Sequence, residues 1–144
     1  MHGFVYIVLK ESLKYLPLVG IGMQFYGFIF MARKWELDKS RLLHRLSKLA
    51  AGRDEPMWLL LFPEGTNLSI NGRRISAKHA EKLGVPDMRH QLLPRSTGLR
   101  FCLEQMHGTV DWLYDCTVAY EGVRWVPNAD FRWEAMSLTV LQTP

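Results

Sequence analysis

Phe62, Pro63, Glu64, Gly65 and Thr66 follow directly on an apolar run and bring four kinds of group to one turn. Proline stiffens the backbone, and glycine lets backbone N–H groups come close to a ligand. The carboxylate accepts hydrogen bonds from a ligand hydroxyl or a neighbouring arginine, and threonine adds a hydroxyl. Amides and a hydroxyl so placed can hold a phosphate. The same five residues also make an ordinary turn, and their spacing alone does not separate the two readings. Two further candidates close apolar segments of their own: Arg33 follows residues 28–31, and Pro94 follows Leu92 and Leu93. Ligands of open parallel sheets collect beyond the carboxyl ends of strands, which is where all three would sit.

The charge distribution adds a preference for an anionic partner. The 144 residues carry a net +4, but residues 33–53 and 73–100 are each net +5, while residues 101–144 are net −4. Basic blocks of this kind suit a phosphate ligand, an anionic lipid headgroup or nucleic acid, and equally suit solvated helix faces. The five tryptophans would permit base stacking, yet no stacking motif accompanies them, so no nucleic-acid partner is expected. Cys102 and Cys116 lack CxxC spacing and a paired histidine arrangement, which argues against a metal site and for two buried free thiols in a reducing compartment. No secretory signal is visible.

The elements that must position these residues follow from periodicity. Residues 4–9 are an uninterrupted β-branched and aromatic run and 57–62 a fully apolar run too short for a helix, hence strands, and further strands are expected at 28–31, at Leu92 with Leu93 and at 113–120. Helical turns are expected at 11–15 and 18–26. An amphipathic helix starts near Asp38, with Leu42, Leu43, Leu46, Leu49 and Ala50 on one side, and ends at Gly52. Helices over 77–83 and from Ser96 or Thr97 to about Met106 complete an alternating order. That order predicts an α/β single domain with a central, largely parallel sheet flanked by helices. Residues 15–32 carry no charge and reach the lower length limit of a spanning helix, about 17 residues, but Pro17 and three glycines favour a short helix, a turn and a strand. A surface-dipping helix is the alternative, because Phe25, Tyr26, Phe28 and Phe30 suit an interface.

Three of these segments, in this order, resemble the sequence blocks of the glycerol-phosphate and lysophospholipid acyltransferase family. Residues 27–33 look like a strand ending in a substrate-binding arginine, residues 62–66 match the Phe-Pro-Glu-Gly-Thr signature at every position, and Leu93 with Pro94 look like a hydrophobic strand ending in proline. The surrounding residues are similar to the eukaryotic lysocardiolipin and lysophosphatidylinositol branch. The resemblance implies a partial acyltransferase domain over 1–123, N-terminally truncated, with a divergent tail over 124–144. It implies transfer of an acyl chain from acyl-CoA, as co-substrate and with no other cofactor, to a lysophospholipid or acylglycerol-phosphate hydroxyl. The setting would be a membrane surface, cytosol-facing, at the endoplasmic reticulum or another endomembrane. Arg33 would bind the acceptor phosphate, with Phe62, Pro63, Glu64, Gly65, Thr66 and Pro94 shaping the substrate site.

One family block is missing: Asn-His followed by Asp, whose His is the general base. None of the five histidines has Asp five positions on. His107 with Asp111 is a helix-like pair far from the signature, and His79 and His90 read as surface residues. No catalytic residue is therefore assigned, and the resemblance implies a catalytically incomplete chain. The alternatives are a non-catalytic lipid- or phosphate-binding remnant and a soluble structural domain. A truncated sheet would also expose an unpaired edge or an apolar patch.

Overall fold

A computed structural model describes residues 4–52, 56–121 and 133–142. Strand β1 (Phe4–Lys10) runs into a 3-10 helix (Glu11–Tyr15) and helix α1 (Val19–Phe25). Strand β2 (Ile29–Met31), helix α2 (Trp35–Ala51) and strand β3 (Met57–Leu61) follow. Helices α3 (Ile70–Leu83) and α4 (Ser96–Gln105) precede strands β4 (Trp112–Glu121) and β5 (Trp133–Gln142).

The strands form one mixed sheet in the order β2-β1-β3-β5-β4. β2, β1 and β3 are parallel, with Lys10 opposite Met31 and Phe4 opposite Met57. β5 enters between β3 and β4 and is antiparallel to both. The α/β class therefore holds, and the sheet is parallel where the candidate residues sit. Residues 133–142, for which periodicity assigned no element, supply an interior strand.

One face of the sheet carries the core. Met57, Leu59 and Leu61 of β3 alternate inward against Leu42 and Leu46 of α2, Phe101 and Cys102 of α4, and Met106 just after α4. Trp35 at the start of α2 meets Phe101 edge-on, with ring centroids 5.3 Å apart, and so joins the two helices. On the opposite face, among the described residues, Val5, Trp58, Trp112 and Tyr114 are exposed, and Trp58 stacks on Tyr114.

Three local expectations change. α3 begins at Ile70, seven residues before the apolar periodicity suggests, because Ser69 caps it by accepting a hydrogen bond from the Gly72 backbone N–H at 3.1 Å. Leu92 and Leu93 form no strand. The Leu93 N–H donates to the Ser76 hydroxyl at 2.9 Å, and Pro94 has no N–H to give, so this segment is pinned to α3 and not to the sheet. Cys116 is exposed, not buried, and both cysteines are free thiols.

Candidate functional site

The parallel strands deliver their carboxyl ends to one side of the sheet. β2 leads to Arg33 and β3 to the turn at residues 62–66, with β1 between them. Two strand spacings put these loops roughly 10 Å apart.

The Arg33 loop is held by a residue that periodicity did not single out. Asp38, in the first turn of α2, is only 1% exposed. One carboxylate oxygen accepts from the Ala32 N–H at 2.8 Å, and the other accepts from the Lys34 N–H at 3.0 Å. Arg33 lies between those two amides with φ of +65°, a conformation that costs a non-glycine residue about 1 kcal/mol or more. The aspartate clamp offsets that cost, and a carboxylate at a helix start is itself favoured by the helix dipole. The result is an exposed guanidinium on a fixed backbone at the end of β2. The signal for it in the sequence is an acid five residues beyond Arg33, just inside the helix start.

The second loop is built on glycine geometry. Gly65 has φ of +70°, and its N–H donates back to the Phe62 carbonyl at 3.0 Å, closing the turn. A Cβ there would meet nothing within 4 Å, so the glycine is required by backbone angle and not by space. Glu64 is buried at 6% exposure, Phe62, Pro63 and Thr66 are half-buried, and the Thr66 hydroxyl donates to the Asn67 side-chain oxygen at 3.3 Å. Behind the turn, Gly72 of α3 approaches so closely that a Cβ would lie 2.7 Å from the Asn67 carbonyl oxygen.

The half-buried Pro94 arrives from the α3 side. The Arg95 N–H donates to the Pro63 carbonyl at 2.8 Å, which ties the segment ending in Pro94 to the signature turn. Ser76 donates to Asp87 while accepting from Leu93, and Arg73 donates to the carbonyls of Met88, Arg89 and Gln91. These bonds fix a small cleft lined by Glu64, Thr66, Ser76, His79, Leu93 and Arg95. Phe62–Thr66 and Pro94 are thus brought together. Arg33 flanks them across β1 and does not line the cleft.

His79 departs from the surface reading: it is half-buried and faces the cleft with Glu64, because Gly72, Ile75, Ser76 and His79 recur on one side of α3. His107 and Asp111 are exposed before β4, at the end of the sheet opposite the site. His90 is exposed, and His2 lies outside the described residues.

The basic blocks are partly consumed by structure. Arg41 pairs with Glu11 at 2.9 Å, Arg45 donates to the Gly27 carbonyl at 2.6 Å, and Arg100 pairs with Glu104. Among the described residues, Arg33 and Arg95 are arginines that stand at the site itself. No cluster of metal-ligating side chains occurs among the described residues.

The acyltransferase family model matches residues 2–121. The chain belongs to the acyltransferase family. This acyltransferase chain is 40% identical over 152 residues to the 2-acyl-1-lysophosphatidylinositol acyltransferase of Saccharomyces cerevisiae, covering 83% of the chain and 38% of that protein. It is 42% identical over 116 residues to lysocardiolipin acyltransferase 1 of Danio rerio, covering 79% and 30% respectively. It is 38% identical over 119 residues to a probable 1-acyl-sn-glycerol-3-phosphate acyltransferase 5 of Arabidopsis thaliana, covering 83% and 32%. The chain thus spans about a third of the length of these relatives. No solved structure matches it significantly.

Proposed function

We propose that this acyltransferase domain binds the phosphate-bearing headgroup of a lysophospholipid between Arg33 and the turn at residues 62–66. The observation that carries this is the Asp38 clamp, which holds an exposed cation in a strained backbone at the end of one parallel strand, beside a buried glutamate and a glycine turn at the end of another. A headgroup phosphate suits the Arg33 guanidinium, and an acceptor hydroxyl suits the Glu64 carboxylate. Pro94 and Arg95 close the cleft side. The lysophosphatidylinositol and lysocardiolipin specificities named for the relatives support a lysophospholipid acceptor, with acyl-CoA as donor at a cytosol-facing endomembrane surface.

In the reaction the acceptor oxygen attacks the thioester carbonyl, a C–O bond forms as the C–S bond breaks, and the hydroxyl proton passes through a base to the departing thiolate. The 144 residues contain no His-x4-Asp pair to act as that base. This supports acceptor binding without turnover as the reading for these 144 residues by themselves.

Purified chain given acyl-CoA and lysophosphatidylinositol should release no free CoA thiol, yet bind lysophosphatidylinositol by calorimetry. Arg33→Ala should weaken that binding about tenfold, the value of one charge-assisted contact. Turnover by the chain refutes the incomplete-domain reading. Binding that survives both Arg33→Ala and Glu64→Ala refutes the site.

A further inference from the structure

The geometry points to the hairpin of the 3-10 helix and α1 as a docking element that seats the site on an anionic phospholipid surface, a reading that rests on the lipid acceptor proposed above. The hairpin has a built inner side. Gly20 is buried so tightly that a Cβ would lie 2.3 Å from the Lys14 carbonyl oxygen, and the Gln24 amide donates to the carbonyls of Gly20 at 3.1 Å and Lys14 at 3.4 Å. Its outer side has no protein over it among the described residues: Tyr15, Leu18, Phe25 and Tyr26 are 74%, 85%, 87% and 77% exposed.

Leu18 sharpens the point. Its φ of 60° and ψ of −54°, with the Val19 N–H donating to the Pro17 carbonyl at 2.6 Å, make a strained γ-turn at a residue left largely in solvent. Folding gains little from holding a leucine in water in a conformation that favours glycine. An apolar medium outside the chain rewards it.

Charge complementarity identifies that medium. Lys10, Lys14 and Lys34 are exposed around the patch, and none meets an acid at ion-pair distance among the described residues, while nearby Glu11 is neutralised by Arg41. Lys10 pairs in register with Met31, so the hairpin emerges beside the Arg33 loop. A lipid headgroup lying in the plane of the surface is thereby presented to Arg33. The open sheet face around Trp58 and Trp112 has no Lys or Arg among its described strand residues and is the less suited of the two surfaces. α1, about 10 Å long, is far too short to cross a bilayer core of about 30 Å, so the hairpin lies in the interface.

Flotation of the full chain with vesicles of phosphatidylcholine, alone or doped with phosphatidylinositol, tests this against Leu18→Gly/Phe25→Ser and Lys10→Glu/Lys14→Glu. The first variant relieves the γ-turn strain and touches no core residue, so circular dichroism should show it folded. Its partition should fall about tenfold or more, with binding of a soluble short-chain lysophosphatidylinositol kept. The second should lose the preference for doped vesicles. No partition by the wild type, wild-type partition by Leu18→Gly/Phe25→Ser, or loss of partition on Trp58→Gln with the hairpin intact overturns the proposal. Partition that depends on the hairpin in a chain binding no soluble acceptor supports docking and faults only the phosphate-site reading.

Discussion

Asp38 shapes the Arg33 loop through backbone hydrogen bonds and does not itself line the cleft. Both carboxylate oxygens are spent on backbone amides flanking Arg33, and the residue is buried. Asp38→Ala leaves two amides unpaired at a strained loop and should destabilise the fold by about 3 kcal/mol, the scale of two hydrogen bonds to a charged group. Urea denaturation checks the stability, and lysophosphatidylinositol binding should fall as it does for Arg33→Ala, because the guanidinium is no longer held. Asp38→Asn, which keeps one acceptor, should recover part of both. The two cysteines separate by environment. Burial pushes the Cys102 thiol up from its ordinary 9.0 to about 12. A thiol whose folded value is raised contributes stability that is complete below the unfolded value and is lost as pH climbs towards the folded one. Stability should therefore decline between about pH 9 and 12, and Cys102→Ala should flatten that slope in urea titrations at stepped pH. At neutral pH iodoacetamide should label the exposed Cys116 and spare Cys102.

Among the elements, α3 is the one whose placement decides the cleft. Its first turn packs against the exit of the signature turn through Gly72, and the contact opposite is a backbone carbonyl that cannot rotate away. Gly72→Ala should force the helix off the turn, costing about 1–3 kcal/mol as overpacking usually does. It should weaken acceptor binding more than Ser69→Ala, which removes only the cap at about 1 kcal/mol. Thermal melts and calorimetry on the two variants separate the effects. The same element shows where sequence legibility ends. β1 and β3 are apolar runs and α2 has a clear apolar stripe, so their residue patterns announce them. The first half of α3, with Asn71, Gly72, Arg73 and Arg74, carries turn-forming and charged residues, and only the cap and a close backbone approach make it helical. Leu92 and Leu93 look like a strand because they are an apolar pair ended by proline. Their partner is a serine hydroxyl and not a neighbouring strand, a distinction that composition cannot express. The signature turn, Arg33 and Pro94 were legible as motifs, whereas the Asp38 clamp and the inward face of His79 depend on tertiary neighbours.

For the whole molecule, the decisive piece is β5. Residues 124–144 read as a divergent tail, and their irregular spacing of Trp133, Met136, Leu138, Val140 and Leu141 suggests no definite element. In the sheet, Leu141 is fully buried between Leu59 of β3 and Leu113 of β4, and Val140 sits between Leu60 and Tyr114. Among the described strands, the ladders on either side of β5 are the ones that attach β4 to the parallel half carrying the site. A strand inserted between two others cannot be lost without leaving both with unpaired backbone donors and acceptors, which is costly where buried and a template for intermolecular pairing where exposed. A chain ending at residue 123 should therefore lose cooperative unfolding and elute as aggregate in size-exclusion chromatography, even though it keeps Arg33, the signature turn and Pro94. A monomeric, cooperatively folding 1–123 chain with wild-type acceptor binding would show that β5 is an ornament on a self-sufficient parallel half. Leu141→Asp in the full chain gives an independent reading, since it places a charge between β3 and β4 without shortening the polypeptide, and it should reproduce the same aggregation.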